Sequence, residues 1–129
     1  MKKLGKIALE VGATPDKDEI ATVNFLAEKF GDDIVFLKAV EIKGVHTPDI
    51  SWRELRWEIK NPRANGKFTI EHAIQDANKQ SDNIIVDLRN SKMPEAKAIA
   101  KIEREFHYRT KIRRILIIKK SRRTLDLTR

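Results

Sequence analysis

The segment TPDISWRELRWEIK (residues 47–60) has the clearest strand pattern in this 129-residue chain. Apolar side chains stand two residues apart, at Ile50 and Trp52 and again at Leu55 and Trp57, as in strands with one buried face. The segment therefore predicts two strands, TPDIS and LRWEIK, paired as a hairpin. The residues SWRE between them contain no clear turn signal.

Three charged side chains, Asp49, Glu58 and Lys60, lie within this apolar frame. The two-residue period of a strand puts Glu58 and Lys60 on one face, and a paired strand would bring Asp49 beside them. Buried carboxylates are costly without a partner, and carboxylate oxygens suit hard divalent cations. We therefore expect a metal ion here, Mg²⁺ first, with Mn²⁺ or Zn²⁺ as alternatives, acting on a phosphodiester.

A fourth charged group belongs to the first predicted helix, residues 15–30, which Thr14-Pro15-Asp16 should begin and Gly31 should end. The predicted apolar face of this helix consists of Ile20, Val23, Leu26, Ala27 and Phe30. Glu19 falls within that face, whereas Glu28 falls on the solvent side. Glu19 is thus a candidate second metal ligand or water-binding group, or alternatively a first-turn acid that favours the helix dipole.

The remaining patterns predict an α/β domain with a mixed sheet flanked by helices, in the order α-β-β-β-α-β-α-β, over residues 1–129. The further elements are strands at 33–42, 83–88 and 111–120, a helix at 69–80 and a helix beginning at Pro94, with TLDL (124–127) as an optional short strand beyond that order. The helical connection should make strand 83–88 parallel to its partner. Asp87, at the end of that strand, is interpreted as a helix cap or a partner of Arg89, with an acid that supports the site residues as the alternative.

The net charge of +8 is concentrated at the end of the chain. Residues 101–129 contain 11 basic and 3 acidic residues, while the opposite charges in residues 1–100 cancel. Such a segment attracts nucleic acid or another polyanion, or is simply a solvated edge strand. The candidate phosphate-binding residues are Lys111, Arg113, Arg114, Lys119, Lys120, Arg122 and Arg123.

Other classes of protein are excluded or disfavoured by composition. The chain has no cysteine, so disulfide scaffolds and cysteine-based zinc sites are excluded. The start, MKKLGKIALEVG, is interrupted by charges and makes a poor signal peptide. No apolar run has the length of a membrane span, and no membrane partner is expected.

Pro48-Asp49 followed by Glu58-Ile59-Lys60 resembles the signature of PD-(D/E)XK nucleases. The stretch WEIKNP…TIEHAIQDANKQSDNIIVDLR resembles, within residues 15–127, the C-terminal tRNA-nuclease toxin domain of contact-dependent growth inhibition proteins. Related domains form the C-terminal part of other polymorphic toxins and of some phage proteins. The resemblance implies a restriction-endonuclease-like fold in which Asp49, Glu58 and Lys60 bind metal and activate water. It also implies site roles for Glu19 and, within KQSDN, for Gln80.

The same resemblance implies a function. It is metal-dependent cleavage of RNA, usually tRNA, in the cytoplasm of a target bacterium, after delivery as part of a larger protein. A cognate immunity protein would neutralise the activity. The residues themselves leave open a DNA endonuclease on the same fold, a non-catalytic nucleic-acid-binding module, and a domain that binds an acidic protein.

Overall fold

A seven-stranded mixed sheet with helices on both faces forms the fold in the computed structural model, which describes residues 4–129. The strands are β1 (Ile7–Leu9), β2 (Ile34–Phe36), β3 (Ile50–Trp52), β4 (Leu55–Lys60), β5 (Asn83–Asp87), β6 (Arg114–Ile118) and β7 (Thr124–Thr128). The helices are α1 (Lys17–Phe30), α2 (Thr69–Gln80) and α3 (Glu95–Tyr108).

The strands lie side by side in the order in which they occur along the chain. β1 is parallel to β2, and β4, β5 and β6 are mutually parallel, because a helix connects each of these neighbours. β3 is antiparallel to both β2 and β4, and β7 is antiparallel to β6. The predicted mixed sheet and the parallel crossover through α2 are therefore confirmed.

Two hydrophobic clusters pack against opposite faces of the sheet. The residues of α1, with Val23 and Leu26 at the centre, pack on one face against Trp57 and Ile59 of β4. The residues of α2 and α3 pack on the other face. Alternate residues of the central strands enter opposite clusters, as their two-residue period requires.

The turn of the β3–β4 hairpin consists of Arg53 and Glu54, both with left-handed backbone, at φ 53° and 64°. Two-residue hairpin loops favour this conformation because its twist matches that of the strands. Residues with a Cβ adopt it at a cost of about 1 kcal/mol each. The missing turn signal is thus explained, since neither residue is the usual Asn or Gly.

Helix α1 begins at Lys17, two residues later than the pattern predicted. Asp16 is the N-cap, its side chain accepts a hydrogen bond from the Glu19 backbone N–H, and the Glu19 side chain accepts one from the Asp16 N–H. Gly31 ends the helix with a left-handed φ of 70°, as predicted. The predicted apolar face is wrong at Ile20, which is 42% exposed, while Phe25 is buried instead.

The strand predictions were wrong in number and in extent, and the strand predicted at TPDIS (47–51) lies instead at Ile50–Trp52. β1 was not predicted, because all three of its residues are exposed and give no alternation of burial. The predicted strand 33–42 ends at Phe36, since β3 offers a partner only from Ile50 onward. The predicted strand 111–120 begins at Arg114 and ends at Ile118. The predicted element order therefore lacked β1 at its start and β7 at its end.

Candidate active site

The candidate site lies where β3 and β4 separate. The backbone N–H of Asp49 donates to the Trp57 carbonyl at 2.9 Å, which is the last backbone hydrogen bond between the two segments near this end. The next N–H of β4, that of Ile59, donates instead to Asp49 Oδ2 at 2.8 Å. The Asp49 side chain thus replaces a strand residue, and this bond holds its carboxylate against the end of β4.

Glu58 is 8% exposed, and its Oε1 has no hydrogen-bond partner within residues 4–129. Lys60 Nζ lies 4.0 Å from Glu58 Oε2, so the two side chains share one face as the period predicted. A buried carboxylate oxygen without a partner is unusual and calls for an explanation, such as an ion or a catalytic role. The site residues surround an open depression of about 260 Å³. It is lined by Asp16, Asp18, Glu19, Asp49, Glu58, Ile59, Lys60 and Asn61.

Burial and neighbouring acids raise the pKa values of two carboxyl groups in the site. Burial, then the charge and hydrogen bonding of Asp49, raises the pKa of Glu58 to about 9, although Lys60 opposes the shift. Burial, followed by the charge of Asp49, raises the pKa of Glu19 to about 8. These shifts have the directions expected for acids that are desolvated together. Added positive charge in this depression would therefore be strongly favourable.

Glu19 is both a capping acid of α1 and a residue that lines the candidate site, and its role toward metal or water stays a prediction. Its Oε1 accepts from the Asp16 N–H at 3.3 Å, so it belongs to the capping box of α1. It is also half-buried and lines the same depression as Asp49 and Glu58. The first turn of α1 therefore brings a third carboxylate to the strand acids without giving up its cap.

The donor set fits a hard divalent cation. Asp49 and Glu58 offer carboxylate oxygens, and the unpartnered Glu58 Oε1 is an acceptor without a donor. No three acidic or histidine side chains in the described part of the chain are already arranged as a complete ligand set. Two protein carboxylates with water in the remaining positions suit Mg²⁺, which keeps several waters when bound.

Gln80 does not line this depression. It is the last residue of α2, and the next residue, Ser81, donates its hydroxyl to the Arg56 carbonyl at 2.7 Å. A helix connecting two parallel strands returns the chain to their amino ends, whereas the carboxylates lie toward the carboxyl end of β4. The structure therefore does not place Gln80 with the other candidates, and its role in the site stays a prediction.

The predicted basic track is divided by β6. Arg114 pairs in register with Asn83 at the amino end of β5, and Ile118 with Asp87 at its carboxyl end. Lys111, Arg113 and Arg114 thus lie at one edge of the sheet, and Lys119, Lys120, Arg122 and Arg123 at the other, about 16 Å apart along the strand. The second group shares its edge with Lys60, which pairs with Val86. The structure therefore places the two groups at opposite ends of β6, and their role in binding nucleic acid stays a prediction.

A buried polar network that the sequence did not predict connects the site to α1. The hydroxyl of Thr22, fully buried, lies 2.6 Å from Asp87 Oδ2 and 3.1 Å from Asn61 Oδ1, directly after Lys60. Asp87 is 2% exposed and pairs with Arg89 at 2.8 Å, which confirms that interpretation. A threonine on the apolar face of α1 was the available signal. The network fixes the ends of β4 and β5 against the helix.

Known proteins share both sequence and fold with this chain. Residues 46–124 match the family described as contact-dependent growth inhibition CdiA C-terminal domain. No curated protein sequence matches the chain. Among solved structures, the CdiA-CT/CdiI toxin and immunity complex from Burkholderia pseudomallei is similar, at 20% sequence identity and a TM-score of 0.62. The likeness covers 95% of this chain and 99% of that one, and it shows a common fold. With more than half of its residues matched, the chain belongs to the CdiA C-terminal domain family of contact-dependent growth inhibition toxins.

Proposed function

We propose that this toxin domain is a metal-dependent endonuclease that hydrolyses phosphodiester bonds of RNA, with tRNA as the first candidate substrate. The observation that carries the proposal is the convergence of Asp49, Glu58 and Lys60 where β3 and β4 separate, with Glu58 Oε1 unpartnered. This arrangement of two carboxylates and a lysine on adjacent strands also supports membership of the PD-(D/E)XK nucleases.

Asp49 and Glu58 would hold the divalent cation, and Glu19 would contribute a further ligand or bind a water. The cation, when bound, supplies positive charge for the phosphate and lowers the pKa of water. The ammonium group of Lys60, on the same face as Glu58, would bind a phosphate oxygen and offset the charge that develops there. The hydrogen bond from the Ile59 N–H keeps the Asp49 carboxylate in place throughout.

The choice of RNA rests on the resemblance to tRNA-nuclease toxins and is supported by the positive charge at the site edge. Lys119, Lys120, Arg122 and Arg123 provide cations for a polynucleotide that lies across this edge. Cleavage of DNA would use the same chemistry, so the substrate is identified by comparing cleavage of tRNA with cleavage of DNA.

A cognate immunity protein is the proposed protein partner, since the similar solved structure is a complex of a toxin with its immunity protein. We place the activity in the cytoplasm of a target bacterium, after delivery with the larger protein that carries such C-terminal domains. The helices within residues 4–129 include none with the length and apolar character of a membrane span.

The test compares cleavage of total tRNA and of plasmid DNA by the wild type, Glu58→Gln and Lys60→Ala, in Mg²⁺, Mn²⁺, Zn²⁺ or EDTA. Glu54→Gln, in the exposed hairpin turn, and Lys97→Ala, exposed on α3, are matched controls. The site variants should lose about two orders of magnitude in rate, the usual scale for a lost charge-stabilising group, and the controls should lose none. Undiminished cleavage by either site variant, or in EDTA, would overturn the assignment.

A further inference from the structure

Three cations converge on one aromatic ring beside the candidate site. The guanidinium groups of Arg89 and Arg122 lie 4.6 and 5.6 Å from the centroid of Phe25, and Lys29 Nζ lies 5.9 Å from it. We call Lys29, Arg89 and Arg122 the cation cluster. Cation–ring attraction is modest, so gathering like charges here needs a further reason.

Two members of the cluster lack an acidic partner. Arg89 is paired with the buried Asp87. Within the described chain, no ion pair involves Lys29 or Arg122, and Lys29 Nζ donates instead to the Arg122 carbonyl at 3.2 Å. Phe25, Lys29 and Arg122 line, with Glu28, an open depression of about 230 Å³. Converging cations that leave their charges unpaired beside an open depression are suited to binding an anion.

The cluster is continuous with the candidate site. Glu19, Thr22, Phe25 and Lys29 follow one another at helical spacing along α1, and ten residues of helix span about 15 Å. The Thr22–Asp87–Arg89 contacts connect the end of β4 to the cluster at the same edge of the sheet. A polynucleotide held at Lys60 can therefore reach the cluster within a few nucleotides.

The backbone of Arg122 points to a use for its side chain. Arg122 has a left-handed φ of 71° in the turn between β6 and β7, a conformation that glycine adopts without a Cβ clash. Arginine is less favourable than glycine in that turn, so the turn conformation alone does not explain why an arginine occupies position 122. Its guanidinium lies over Phe25 beside Lys29, where it adds an oriented donor set suited to phosphate.

We propose that Lys29 and Arg122, backed by the Asp87-paired Arg89, form a second phosphate-binding subsite, which holds the substrate backbone a few nucleotides from the scissile bond. The inference rests on the proposed nuclease function for the identity of its ligand. Its cations position the substrate and take no part in the chemical step. Glu28 lines the same depression, and its negative charge opposes the binding of a phosphate there.

The experiment measures the affinity of a labelled RNA for protein carrying Glu58→Gln, which prevents cleavage, as a function of salt. Lys29→Ala and Arg122→Gly are added singly and together, with Lys97→Ala as control and Glu28→Gln as a change of opposite sign. Each lost phosphate contact should reduce the salt slope by about 0.7 to 0.9 and weaken binding about fivefold at 0.15 M salt. Glu28→Gln should tighten binding.

Thermal melts and cleavage kinetics separate this role from a structural one. In the otherwise wild-type protein, Arg122→Gly should fold as stably as the parent, raise KM for long RNA and leave kcat unchanged. If the wild type cleaves RNA but Lys29→Ala and Arg122→Gly retain the parental salt slope, the subsite is overturned. The proposed nuclease function is then unaffected. A reduced slope in a protein that never cleaves RNA would support the subsite and overturn the nuclease. Absence of RNA binding by the parent would overturn the subsite in any case.

Discussion

Asp49 shows how one side chain can serve structure and chemistry together. Its Oδ2 accepts the Ile59 N–H at 2.8 Å, in the place of a strand residue, while its charge raises the pKa of Glu58. A carboxamide can accept the same hydrogen bond but brings no charge, whereas a methyl group can do neither. The two roles can therefore be separated by substitution.

Asp49→Asn should keep the fold and lose cleavage, whereas Asp49→Ala should lose both cleavage and stability. Leaving the Ile59 N–H unsatisfied should cost about 1–3 kcal/mol. Urea denaturation in EDTA measures the stability of both variants, and the tRNA assay measures cleavage. Equal destabilisation by Asn and Ala would show that the hydrogen bond does not hold β4, and an active Asn variant would remove Asp49 from the chemistry.

The raised pKa values of Glu58 and Glu19, about 9 and about 8, predict how metal-free stability depends on pH. The unfolded chain releases these protons near pH 4.5, whereas the folded protein holds them. Stability in EDTA should therefore fall as pH rises from about 5 to about 9. Glu58→Gln, which carries no titrating proton, should flatten this fall and gain stability over the wild type as pH increases.

Melting temperatures in EDTA at pH 5, 7 and 9 provide the measurement, with Glu103→Gln on the exposed face of α3 as control. Asp16, Asp49 and Lys60 also act on these two groups and remain in both proteins. Because ligands must be deprotonated, stabilisation by Mg²⁺ should increase over the same pH range and be largely lost in Glu58→Gln. Parallel pH curves for variant and wild type would contradict the prediction.

At the scale of the element, the β3–β4 hairpin sets the geometry of the site through an unfavourable turn. Arg53 pairs with Asp32 at 2.7 Å, and its guanidinium lies 4.6 Å from the centroids of Phe30 and Trp52. These contacts stabilise the first left-handed residue. Glu54, the second, is exposed and has no such contact among the ion pairs of residues 4–129.

Glu54→Gly should therefore stabilise the domain by up to about 1 kcal/mol, because glycine removes the Cβ clash at φ 64°. Cleavage should not change, since Glu54 is remote from the depression. Urea denaturation checks the sign, and Glu103→Gly inside α3 should cost about 1 kcal/mol. Destabilisation by Glu54→Gly would show that the glutamate side chain contributes a contact worth more than the strain.

At the scale of the whole molecule, the charge excess is divided between the two edges of the sheet. Parallel β4, β5 and β6 place the candidate site and the β6–β7 turn at one edge, and the start of β6 at the other. A substrate bound at Lys60 can reach the basic residues of the β6–β7 turn, which lie at the same edge, but not those at the start of β6 without crossing the sheet. The net charge of +8 is therefore not one binding surface.

Matched pairs of substitutions test this division. Lys119→Ala with Arg123→Ala, at the site edge, should weaken RNA binding and reduce the salt slope by about 1.5 units. Lys111→Ala with Arg113→Ala, at the other edge, should remove the same charge with little change in slope. Fluorescence anisotropy over a salt series gives both slopes. Equal effects of the two pairs would mean that the RNA spans the sheet or follows net charge alone.

Sequence alone determined the elements whose signals are local. Helix α2 lies over 69–80 as its apolar spacing predicted, and Gly31 ends α1 because only that residue type enters the left-handed conformation readily. The period of LRWEIK placed Glu58 and Lys60 on one face. These outcomes depend on backbone preferences and on burial within a few residues.

Tertiary structure decided whatever depends on which segments become neighbours. β1 forms only because β2 is beside it, and Asp49 becomes a hydrogen-bond acceptor only because β3 and β4 separate there. The basic residues are divided by the length and direction of β6, and Lys29 meets Arg122, 93 residues away, only in the folded chain. Local periodicity contains no information about such contacts, because they arise from the packing of whole elements against one another.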